Sequence, residues 1–129
     1  MSSATGAVSL PPLTDPIITA VARLVDDHQS PREPSHDTIS SQFSRAGLMG
    51  ADPPTKVGKR KRVRAVLGHA IEHDEPAGRK LVGYLIAELR GCGGFRSTSP
   101  NYVGAEAVDN ARDAFREEGF DLGTDGVLG

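Results

Sequence analysis

Val63, Val66, Leu67, Ala70 and Ile71 stand at i, i+3, i+4, i+7 and i+8. That spacing puts all of them on one face of an α-helix and on neither face of a β-strand. After the break Asp74-Glu75-Pro76, the residues Leu81, Val82, Tyr84, Leu85, Ile86 and Leu89 follow so densely that a second helix is apolar round much of its circumference. Two consecutive helices with apolar faces have to bury them, and the simplest way is against other helices. The denser of the two is expected to be the central, most buried element.

The rest of the chain supplies the neighbours. Asp15-Pro16 reads as a helix start, with Asp15 as N-cap and proline at the first helical position. Ile17, Ile18, Val21, Leu24 and Val25 then carry a helix expected to end near Asp27-His28. QSPREP interrupts, and Ser35 caps a helix whose inward stripe is Ile39, Phe43 and Ala46. Gly47 is its left-handed stop, with Leu48 folding back. MGADPPTKVGK is a loop by composition. GCGG, residues 91–94, stops the long apolar helix. A last helix from about Gly104 turns Val108, Ala111, Ala114 and Phe115 inward and closes at Gly119, with Phe120 packing back. FDLGTDGVLG reads as a short strand, a turn and the start of a return strand. The expected architecture is mainly α: a compact bundle of about five helices, with a possible C-terminal β-hairpin that would allow a winged-helix-like variant. Residues 1–13, small, polar and proline-containing, read as a disordered leader to a single helical domain over 14–129.

Composition narrows the functional classes. The 129 residues hold 37% apolar side chains and no Trp, enough for a modest aliphatic core. Net charge is −2, so any role on nucleic acid has to come from local charge. The single cysteine, Cys92, rules out an internal disulfide and a multi-thiolate zinc site. No basic and apolar leader opens the sequence, and no apolar run approaches the roughly 20 residues of a membrane span. The expectation is a cytoplasmic chain away from membranes.

Local charge is uneven. Lys56, Lys59, Arg60, Lys61, Arg62 and Arg64 put six of the fifteen Lys and Arg into nine residues. They precede or open the helix of Val63, where cations oppose the helix dipole. Fold stability alone therefore does not select them, and all six are candidate contacts to phosphate or nucleic acid. Their ordinary alternative is a solvated polar face. A helix-turn-helix wants a short turn, whereas two prolines and a longer loop precede this helix. Arg60 and Arg64, at i and i+4, are its candidate base readers.

Other constellations are weaker. His69 and His73 stand at i, i+4, yet HAIEH places the glutamate beside the second histidine, unlike HExxH, and no third metal ligand is identifiable. Cys92 sits at a helix C-terminus, where the dipole raises a thiol pKa. The glycines of GCGGF and NYVGAEA match neither nucleotide-binding fingerprint. No catalytic group can be assembled from the sequence, so neither enzymatic activity nor a cofactor is expected.

REPSHDTISSQFSRAGL, GKRKRVRAVLGHA and LRGCGGFRSTSPNYVGAEAVDNARDAFREEGFDL together resemble the N-terminal region of bacterial abortive infection family proteins, which are associated with phage defence. The resemblance spans roughly residues 10 to 128 and is one of overall pattern. It implies a non-enzymatic sensing, targeting or interaction module, followed in that family by a C-terminal effector domain. The expected partners are accordingly a protein, or such an effector domain, with nucleic acid as the alternative.

Overall fold

The computed structural model describes residues 10–25 and 32–129. Among these the chain is mainly helical: α1 (Asp15–Leu24), α2 (His36–Arg45), α3 (Lys59–His73), α4 (Glu75–Gly91) and α5 (Ala105–Glu117), with a single 3-10 turn at Met49–Ala51. The loop before α3 was expected to be irregular throughout, and this turn is the exception.

Helix starts follow local chemistry. Ser35 caps α2, its side chain accepting from the Thr38 N–H, and Asp74 caps α4 by accepting from Ala77. At α1 the cap is Thr14, one residue earlier than expected; its hydroxyl accepts from the Ile17 N–H, and Asp15 is already helical. An acidic first residue suits the positive end of the dipole, so the Asp-Pro signal was correct in kind and one residue out in place. Asp27 and His28, where the α1 pattern was expected to stop, lie outside the described residues.

Helix ends repeat one device. At α2, Leu48 N–H donates to the Phe43 carbonyl and Gly47 N–H to Ser44, across Gly47 at φ 77°. A residue with a Cβ enters that backbone region only under strain, which is why glycine holds it. Leu48 folds back and is buried. The same paired hydrogen bonds end α4 (Gly94 to Leu89, Gly93 to Arg90) and α5 (Phe120 to Phe115, Gly119 to Arg116).

The centre of the bundle is α1, not α4. Ile17, Ile18, Ala20, Val21, Ala22 and Leu24 are all buried, and α1 packs against α3, α4 and α5, whereas α3 and α5 do not touch each other. α4 is the second spine: Leu81, Val82, Leu85, Ile86 and Leu89 are buried against α3, α2 and α1, while Tyr84 is only half-buried, under the Arg45 guanidinium at 4.0 Å from its ring centroid. Leu10 to Leu13, assigned by composition to the leader, lie along α4. Arg79 donates to the carbonyls of Pro11 (2.9 Å) and Leu10 (3.1 Å), and Leu13 is buried beside Gly78. Residues 1–9 lie outside the described residues.

The expected terminal strands reduce to one isolated antiparallel bridge between Leu122 and Leu128. Asp121 and Gly129 exchange two backbone hydrogen bonds, and Gly123 N–H meets the Val127 carbonyl at 2.8 Å. This is a tight reversal held down at its root, too short to be a wing. Arg112 Nε reaches the Leu122 carbonyl, and Phe95 lies where a Cβ on Gly126 would be.

Candidate functional site

The cationic cluster divides into two groups that the sequence presents as one. Lys59 is 3% exposed and Arg62 is 8% exposed. Lys59 Nζ donates to the carbonyls of Arg32 (2.9 Å) and Pro34 (2.8 Å). Arg62 holds Asp52 with two parallel bonds, Nε to Oδ1 at 3.0 Å and Nη2 to Oδ2 at 2.8 Å. It also meets His36 Nδ1 and the His36 carbonyl through Nη1, Ser40 Oγ through Nη2, and the Phe43 ring at 5.2 Å. A guanidinium with its donors engaged on carboxylate, carbonyl, ring nitrogen and hydroxyl ties α2, the Met49–Ala51 turn region and α3 together. It is not available to a phosphate. Lys59 does the same for the segment leading into α2.

Geometry explains the division. Lys59 and Arg62 stand four residues before Val63 and Val66, so they prolong the apolar stripe of α3 toward its start. That register was the available signal. What it could not reveal was the partner set, because Asp52, Pro34 and Arg32 arrive from irregular segments.

The other four residues face outward to differing degrees. Lys56 lies in the loop before α3 and is exposed, as are Lys61 and Arg64 on the helix, and Arg60 is half-buried and engaged. Lys56, Lys61 and Arg64 have no polar partner among the described residues. They form a cationic edge at the start of α3, whose cap, Gly58, makes no side-chain hydrogen bond.

α5 offers the opposite sign. Glu106, Asp109, Asp113 and Glu117 are exposed along it, and Glu118 at its C-cap is exposed too. Glu106 pairs with Arg23 of α1 at 2.8 Å and Asp113 with Arg116 at 3.0 Å, both at the surface, where such pairs contribute little. Between α1 and α5 runs a shallow groove of about 460 Å³ lined by Asp15, Thr19, Asn110, Asp113 and Glu117.

His69 and His73 are exposed, their rings 4.6 Å apart and tilted, with Glu72 4.0 Å from His73. Among the described residues no group of three or more His, Cys, Asp or Glu is placed to share a metal ion. Burial pushes the Cys92 thiol up from its ordinary value, with the charges of Glu88 and Glu33 adding to this, while hydrogen bonds with the Gly94 and Cys92 backbone pull the other way. Its Sγ donates to the Leu89 carbonyl at 3.4 Å, so it is engaged and weakly nucleophilic. His28 lies outside the described residues; His36 is the first residue of α2 and meets Arg62 through Nδ1.

No helix among the described residues is long and apolar enough to cross a membrane. Compared with known proteins, the chain matches no family model, and no curated protein or solved structure matches it significantly.

Proposed function

We propose that this chain is a non-enzymatic helical interaction module that engages a protein partner through its charged faces. One observation carries the reading: α1 lies between α3 and α5 and holds a cationic edge and an anionic face apart on different sides of one apolar core. Faces of opposite sign, fixed in relation to each other, select partners by electrostatic complementarity and repel those of the wrong sign. The turning-in of Lys59 and Arg62 supports the same reading, since it withdraws charge from a phosphate surface and spends it on rigidity. The resemblance to the N-terminal region of abortive infection proteins supplies the setting: a sensing or targeting arm in phage defence, working in the cytoplasm.

In-cell photo-crosslinking tests this. A photoreactive residue in place of Asn110 should capture one defined protein, and capture should disappear in D109K/E117K. K61E/R64E should lose a different contact or none. A chain that yields no specific adduct from either face would defeat the reading.

A nucleic-acid interface is the second reading, favoured by the exposed Lys56, Lys61 and Arg64. Three phosphate contacts give a slope of log K against log[salt] of about −3 on duplex DNA. A flat slope, or affinity unaffected by K61A/R64A, would exclude it. A slope near −5 would mean that Lys59 and Arg62 also reach phosphate, contrary to the geometry.

A further inference from the structure

Arginines in this fold are nearly all committed. Arg23 pairs with Glu106, Arg62 with Asp52, and Arg116 with Asp113. Arg32, Arg79 and Arg112 donate to backbone carbonyls, Arg45 lies on Tyr84, and Arg60 is engaged. Among the described residues, Arg64, Arg90 and Arg96 are the arginines whose side chains make no hydrogen bond, ion pair or ring contact. Two of these, Arg90 and Arg96, line the same cleft.

That cleft holds about 720 Å³ at the C-terminal end of α4, within the range of small-molecule sites. Arg90 comes from the last turn of α4, and Arg96, Ser97 and Thr98 from the loop after it, while Thr124 and Asp125 face them from the terminal reversal. Neither wall is slack. The loop is tied by Arg96 N–H to the Gly93 carbonyl, Ser99 N–H to Arg96 and Val103 N–H to Gly94. The reversal is held by Arg112 on Leu122 and by Gly126 seated against the Phe95 ring. A Cβ on Gly126 would clash with that ring, so only glycine lets the reversal close on Phe95 and bring Thr124 and Asp125 into the cleft that Arg90 and Arg96 line.

We infer that this cleft binds a small phosphate monoester carrying free hydroxyl groups. Guanidiniums suit a phosphate because they present several donors in a plane at permanent charge. The hydroxyls of Ser97, Thr98 and Thr124 make no other hydrogen bond among the described residues and can add donors. Asp125 sets the rest of the ligand. Its Oδ1 accepts from the Val127 N–H at 3.1 Å, leaving Oδ2 to accept from a ligand hydroxyl. The same carboxylate repels a second phosphate, which disfavours a nucleic-acid backbone. Sugar phosphates and nucleoside monophosphates share the required chemistry. This goes beyond the interaction reading and does not depend on it.

Calorimetric titration of the full chain with inorganic phosphate, ribose 5-phosphate and adenosine 5′-monophosphate tests the inference. Both organic monoesters should bind more tightly than inorganic phosphate, and R90A/R96A should weaken them by about tenfold or more. R64A, outside the cleft, should leave the affinity unchanged, and D125N should weaken the organic ligands while sparing inorganic phosphate. Equal affinity for the two monoesters assigns a sugar phosphate; tighter nucleotide binding assigns a nucleotide. Because Arg90 and Arg96 are exposed and unpaired, the double variant should melt with the parent protein, and comparing the two curves separates lost binding from lost folding. No saturable binding by either monoester would overturn the inference. So would undiminished affinity in R90A/R96A, or an equal loss in R64A.

Discussion

Two lysines, Lys59 and Lys61, stand two positions apart in one basic run and do unrelated things. Lys59 donates to two backbone carbonyls inside the protein; Lys61 projects into water. Lys59→Ala should therefore cost about 2 kcal/mol, the loss of charge-assisted bonds at a buried position. Lys61→Ala should stay within about 0.5 kcal/mol. Urea denaturation of both variants checks this, and equal effects would refute the division. The sequence states the charge of these residues and even their register against Val63 and Val66. It does not state which loop carbonyl or carboxylate will come to meet them, because those partners are set by how irregular segments cross α3. Gln42 is a similar case. It stands three residues after Ile39 and four before Ala46, so its register points inward, but its partner is invisible in the sequence: Nε2 donates to Glu88 Oε1 at 2.8 Å, across 46 positions of chain.

Helix boundaries were the most legible part, because caps and stops are decided within a few residues. Ser35, Gly47, Asp74 and Gly119 act where their local chemistry says they should. How closely the helices approach was hidden, and glycines show why. Gly68 in α3 has open space where a Cβ would go. Gly78 in α4 would place one 2.6 Å from Leu13 and 2.7 Å from Ala70. One sequence symbol thus covers a position with no packing role and the point where α4 meets both α3 and the segment before α1. Gly68→Ala should stabilise by about 0.5–1 kcal/mol through helix propensity. Gly78→Ala should destabilise by about 1–3 kcal/mol through overpacking. Thermal melts of the two variants should move in opposite directions; a shared direction would mean the approach at Gly78 is looser than described.

Taken together, the five helices were foreseen as a bundle and placed around the wrong centre. α4 has more apolar residues, but α1 is buried over more of its length, six of its 10 residues against seven of 17 in α4, and only long-range packing decides that. The terminal reversal was overread as strands because alternating apolar residues mark a strand only where a partner of matching length exists. Here pairing stops at one bridge. If α1 is the centre, its amides should be the slowest to exchange. Val21 and Ala22 should exchange only through global unfolding, whereas the amides at the end of α5 should open locally. Hydrogen exchange followed by mass spectrometry or NMR reads this directly, and faster exchange in α1 than in α4 would contradict the arrangement.

The position of α1 in the order of synthesis has its own consequence. A ribosome makes this helix before either α3 or α5, so Ile17, Val21 and Leu24 emerge long before the helices that shelter them. α3 and α4 can cover them in part, the cover is completed only when α5 is made, and every one of these contacts closes a long loop. Until then part of the apolar face of α1 is open, which is the kind of surface that chaperones cover.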